Sequence, residues 1–128
     1  MVREKILAHM ADRFLVLIEP IKCVERLGVK FPLPIEVLPF AHKLVHKEVM
    51  ALGASSIAMR QATEKDGPVI TDQGNFVLDA RFPKSVDVAS LESALDNIPG
   101  VVGHGLFARY TKRITVAIGL ATGVEVVP

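Results

Sequence analysis

Between Ile35 and Phe107 the apolar residues change period in a fixed order, and that order is the strongest constraint on what this chain can fold into. Ile35-Glu36-Val37-Leu38 is bracketed by Pro32, Pro34 and Pro39, which cannot continue a helix, so it reads as a strand with fixed ends. From Phe40 to Leu52, Leu44, Val45, Val49 and Leu52 recur at helical spacing, and Gly53 is placed to end the helix. Ser55 to Arg60 follows as a strand. Val69-Ile70-Thr71 and Phe76 to Phe82 flank Asp72-Gln73-Gly74-Asn75, where Gly74 can supply the positive φ of a tight turn; this predicts a hairpin. Val88 to Ile98 puts Leu91, Leu95 and Ile98 on one helical face and stops at Pro99-Gly100, before the strand Val101-Val102.

The order is therefore β-α-β-β-α-β, the ferredoxin-like arrangement in which two helices cover a single face of an antiparallel sheet. Many unrelated functions share it, so by itself it names none. Outside it, Arg3 to Ala11 carries Ile6, Leu7 and Met10 at helical spacing and runs directly into Phe14 to Ile18, an unbroken apolar run of strand length. Such a run is expected in a strand covered on both faces. A helix followed by a buried strand suggests a parallel α/β layer, to which Ile114 to Ile118 can return, with Val124 to Val127 beyond Gly123. The predicted fold class is thus α/β with an α+β lobe: a partial Rossmann-like segment over 1–31, a ferredoxin-like lobe over 32–108, and strands over 109–128 returning to the first layer.

Composition enters mainly by what it excludes. Fifteen Lys and Arg against fourteen Asp and Glu leave no long-range field to gather nucleic acid or an anionic membrane. RNA-recognition modules share the βαββαβ order but stack bases on aromatic residues, which are few here, so no nucleic-acid partner is expected. No apolar stretch approaches the roughly 20 residues of a membrane span, and the charged N-terminal segment is unlike a signal peptide; the expected location is cytoplasmic. Cys23 is the lone cysteine, so no internal disulfide forms, and it is expected to be a buried thiol. His42 and His46 stand four apart without a third ligand, so no metal site is expected.

Taken singly, Glu4, Lys5, Glu19 and Lys22 read as solvated charges at a helix start and after a strand. Their surroundings give them more meaning. Arg3-Glu4-Lys5-Ile6 opens the helix, and the first strand ends near Lys22. Leu27-Gly28, the proline-rich run Phe31 to Pro39, Val69 to Asn75, Ile98 to Val102 and His104-Gly105-Leu106-Phe107 then follow in order. In combination they resemble the successive signatures of the type A ribose-5-phosphate isomerases, over nearly the whole chain.

The resemblance implies a Rossmann-like domain carrying a ferredoxin-like lobe, and interconversion of ribose 5-phosphate and ribulose 5-phosphate through an ene-diol(ate), with no metal or other cofactor. It implies that Glu4 is the catalytic base and that Lys22 contacts the substrate. The family usually has Ser before that lysine, where this chain has Ile21, with Pro20 before it. In the family a phosphate loop, an acidic segment and a Lys-Gly-Gly segment precede the base. The resemblance therefore implies a C-terminal portion that is weak or inactive alone, taking a sugar phosphate when complemented, and associating with itself through surfaces the other half would cover. The competing expectation is a non-catalytic ferredoxin-like module that binds its own kind or a full-length isomerase.

Overall fold

The computed structural model describes residues 1–83 and 86–127. Pro128, the end of the segment expected to return to the first layer, and Lys84-Ser85 within the expected lobe lie outside the described residues. The elements run α1 (Val2–Met10), β1 (Phe14–Ile18), β2 (Leu33–Val37), α2 (His42–Ala51), β3 (Ser56–Met59), β4 (Phe76–Arg81), α3 (Val88–Asp96), β5 (Val101–His104), β6 (Ile114–Leu120) and β7 (Gly123–Val127). They form an α/β fold with two sheets: a mixed one, β1-β6-β7, and an antiparallel one, β3-β4-β2-β5. In the mixed sheet β1 pairs with β6 in parallel and β6 with β7 antiparallel.

The main core lies on one face of the antiparallel sheet. Leu33, Ile35 and Val37 of β2, with Leu78 and Ala80 of β4, alternate toward it and meet Val45 and Val49 of α2 and Leu91 and Leu95 of α3 in one cluster. Both helices thus pack on the same face. Asp87 caps α3, its carboxylate accepting the Ser90 N–H at 2.8 Å. The turn into β5 needs Gly100 for two reasons. Its φ is +94°, and a Cβ there would stand 2.3 Å from that of Ala41.

The central strand β2 begins earlier than the bracketing prolines suggest and takes Pro34 inside it. Pro34 is tolerated because β5 ends at His104, so no ladder donor is required on that side; the Pro34 carbonyl accepts the Gly105 N–H at 3.0 Å. Gly105 has no side chain where the Pro34 ring comes close, 3.0 Å from the position of a Cβ.

Three expectations need correction. Val69 to Thr71 is not a long hairpin arm; it makes a single bridge, Ile70 to Phe76, because the rest of that edge of β4 is already paired with β3. The strand β1 is not covered on both faces: Leu15 is 61 % and Leu17 75 % exposed, since no described element packs over them. The apolar residues of α1, Ile6, Leu7 and Met10, are exposed, in line with the expectation of surfaces that the family's other half would cover, whereas Ala8 is fully buried. Cys23 is exposed, in a loop outside both sheets where its N–H closes a 3-10 turn on the Pro20 carbonyl.

Candidate functional site

The loop between β4 and the residues before it is built around a buried carboxylate. Glu36 of β2 points to the face opposite the core and accepts hydrogen bonds from the Thr71 hydroxyl at 2.8 Å and the Asn75 side-chain amide at 3.0 Å. The Thr71 hydroxyl in turn accepts the Asn75 N–H, and Gly74, at φ +79°, lets its N–H reach the Thr71 carbonyl. Thr71 to Asn75 is therefore a rigid turn pinned to the sheet through Glu36.

Beside this turn lies a cleft of about 400 Å³, bordered by Arg3, Glu4, Glu36, Arg60, Thr71 and Asp72 among others. Arg3 reaches Asp72 at 3.4 Å, an exposed pair that adds little to stability. Arg60 forms a two-pronged contact with Asp79, at 2.6 and 2.9 Å. Glu4 stands at the mouth, its side chain 61 % exposed and 2.6 Å from the Met1 amine. That amine, together with the hydrogen bond from its own backbone N–H, holds the Glu4 carboxyl below the usual range, so it is ionised at neutral pH. A similar volume, about 420 Å³, opens between Phe31, Phe82, Leu91 and Leu106. Its walls are largely apolar, with Glu25 and Arg26 as the charged residues on its border.

Lys22 ends the 3-10 turn Pro20–Lys22 that follows β1. Its Nζ lies 5.5 Å from the centre of the Phe31 ring, a cation–π contact that orients it along the loop. It does not border the Glu4 cleft, so the structure does not bring the two expected site residues into one cavity.

A group that sequence reasoning missed lies behind Glu4. Lys5, Glu92, Asp96, His104 and Arg109 meet between α1, α3, β5 and the 3-10 turn Ala108–Arg113. His104 is fully buried. Its Nε2 faces an Asp96 oxygen at 2.9 Å and so carries the proton, while its Nδ1 accepts the Leu106 N–H at 3.3 Å. Lys5 Nζ stands 3.2 Å from both ring nitrogens. Burial, then the Lys5 charge, pushes His104 down to about 4, against the opposing pull of the Glu92 carboxylate; Asp96, which faces the ring, is also paired with Arg109. Burial also lowers Lys5 to about 8, despite the neighbouring Glu92. The available signal was Glu92 itself, a charge directly beside Leu91 on a helix that buries Leu91 and Leu95.

The family model for ribose 5-phosphate isomerase A (phosphoriboisomerase A) matches residues 1–120. Among curated proteins, the ribose-5-phosphate isomerase A of Thermosynechococcus vestitus is 51% identical over 114 residues, 89% of this chain and 48% of that protein. That of Thermococcus kodakarensis is 45% identical over 122 residues, 95% of this chain and 52% of the relative. The chain thus spans about half the length of the curated relatives it matches. A solved ribose 5-phosphate isomerase A from Methanocaldococcus jannaschii superposes with a TM-score of 0.88 at 40% identity, covering 98% of this chain and 54% of the other. A solved D-ribose-5-phosphate isomerase in complex with phospho-erythronic acid gives 0.85 at 39%, with 97% and 53% covered.

Proposed function

The chain belongs to the ribose 5-phosphate isomerase A family, and on that premise we propose that it supplies the catalytic base for interconverting ribose 5-phosphate and ribulose 5-phosphate. The observation that carries this reading is Glu4, an ionised carboxylate at the mouth of a polar cleft, within the stretch matched by the family. Glu4 removes a proton from C2 of the aldose; the electrons form the C1–C2 double bond of an ene-diol(ate), and the same carboxyl returns the proton to C1. One carboxylate that reaches both carbons suffices for the carbon-bound proton, while the C2 hydroxyl gives up its proton and O1 takes one on, by way of groups or water at the two oxygens. Lys22 is proposed as a substrate contact. The phospho-erythronic acid bound by one solved relative is a phosphorylated sugar acid, in keeping with a sugar-phosphate substrate.

On the same reading 1–31 and 109–128 form a partial Rossmann-like layer, supported by the parallel pairing of β1 with β6. The segment 32–108 forms a ferredoxin-like lobe, supported by the order β3-β4-β2-β5. No described helix is long and apolar enough to cross a membrane, and a cytoplasmic place suits the chemistry. Leu15 and Leu17 of β1, Val124 and Val126 of β7, and Leu7 and Met10 of α1 are all more than half exposed. Bare apolar surface of this kind drives association. The isolated chain is expected to be at least a dimer in light scattering at micromolar concentration, and a monodisperse monomer would contradict that.

The functional test is an assay of ribulose 5-phosphate formation, with the chain alone and mixed with a polypeptide supplying the family's other half. Alone, the chain is expected to turn over at a small fraction of the complemented rate, because binding and polarising groups act together with the base. Absence of turnover in every mixture, from a chain that stays folded, would favour a non-catalytic module instead.

A further inference from the structure

The helix that carries Glu4 has little apolar hold on the rest of the molecule. It is nine residues long, its first residue lacks a side-chain cap, and Ala8 is its single fully buried residue. Ile6, Leu7 and Met10 face outward. A helix this short is marginal without tertiary anchoring. The exposed Arg3–Asp72 pair cannot provide it, since both side chains are more than two-thirds exposed.

Lys5 can. Its side chain is only 14 % exposed, and its ammonium enters the space between α3 and β5. There it meets the His104 ring at 3.2 Å, a Glu92 oxygen at 3.8 Å, and the Phe107 ring at 5.3 Å from its centre. Glu92 is itself immobilised, its Oε2 accepting the Arg109 N–H at 2.8 Å. Its Oε1 has no hydrogen-bond partner among the described residues and lies 3.8 Å from both Lys5 Nζ and Arg109 Nε. A buried carboxylate in this state attracts the two cations strongly and holds them in place.

Adjacent residues on a helix differ by about 100° in direction and about 1.5 Å in height. Fixing Lys5 in its slot therefore fixes both the rotation of α1 and its position along its axis. The direction in which Glu4 enters the cleft follows from those two quantities. We propose that Lys5, seated between Glu92 and His104, is a positioning residue that locks α1 and thereby aims the Glu4 carboxylate. The proposal rests on the reading of Glu4 as the base. It assigns a functional purpose to a buried charge cluster more than 80 residues away in sequence.

Lys5→Met tests it, since methionine keeps the length of the stem and loses the ammonium. Should the unpaired Glu92 destabilise that variant, Lys5→Met/Glu92→Gln removes both charges and keeps the packing. Two measurements are made. Amide hydrogen exchange on the isolated chain is expected to speed up at least tenfold within Val2 to Met10, with β2 and β4 unchanged. In the complemented assembly kcat is expected to fall at least tenfold while KM moves less than twofold, and Lys5→Arg is expected to recover part of the loss. A loss of packing alone would slow neither step selectively. Unchanged exchange in α1 overturns the proposal, as does faster exchange with unchanged kcat. Full turnover in a Glu4→Gln assembly, or none in the unaltered one, removes the base assignment and this proposal with it; the exchange data then still report whether Lys5 pins the helix, so the two failures are distinguishable.

Discussion

Glu4→Gln is expected to lower kcat in the complemented assembly by about 10²- to 10⁴-fold, the usual worth of a general base. The substitution keeps the shape of the side chain and removes the carboxylate proposed to take a proton from carbon. Its effect on folding should be small. The Glu4 side chain is largely solvated, so losing its ion pair changes stability little. Thermal unfolding of the variant should therefore overlay that of the parent, and KM should hold, because the carboxylate acts on the reacting carbon more than on ground-state binding. Retention of more than about a tenth of the turnover, well short of the loss expected for a general base, would show that another group moves the proton. Asp72, across the cleft and joined to Arg3, would be the next to substitute.

The second large effect is on stability, and it appears in acid. His104 titrates near 4 when folded and near 6.5 when free of the fold. Between those values the unfolded chain binds the extra proton and the folded chain does not, so stability is fully present above pH 6.5 and declines as pH falls toward 4. The loss attributable to this one residue is about 2 kcal/mol by pH 5 and about 3 kcal/mol by pH 4. The groups facing the ring account for the sign. Burial disfavours the charged ring most, Lys5 on α1 opposes a second positive charge, and Glu92 on α3 pulls the other way, while Asp96, which also faces the ring, is shared with Arg109. His104→Asn keeps an acceptor near the Nδ1 position for the Leu106 N–H while abolishing the titration. Urea unfolding of parent and variant at one fixed concentration, from pH 7 to pH 4, should give curves that converge or cross as the parent loses stability. Parallel curves would mean that the buried ring binds its proton as readily as a free one.

The cluster behind this prediction also marks the limit of what local pattern reveals. Turns and element types were legible because they depend on short-range backbone sterics. Gly74 and Gly100 adopt the positive φ that their turns need. The periods of Leu44, Val45 and Val49, and of Leu91 and Leu95, delivered two helices, and those helices share the core face of β2. The position of Glu4 at the start of a helix was equally legible, and the ordered motifs around it led to the family that the comparisons then established.

Facing was another matter. The apolar stripe of α1 pointed outward and a lysine inward, because the surface that receives this helix presents His104 and Glu92. The run Phe14 to Ile18 looked buried on both sides, yet its Leu15 and Leu17 face has no described element over it. Val69 to Thr71 looked like a hairpin arm until β3 took the same edge of β4. Lys22, expected to contact substrate, instead stands over the Phe31 ring of its own loop, away from the Glu4 cleft. Sequence alone determined the order of elements and most of their turns, since each depends on residues a few positions apart. Which charges are buried was decided by tertiary structure alone: Lys5 and His104 stand 99 positions apart, and only the packed fold removes the water that would otherwise separate and screen them.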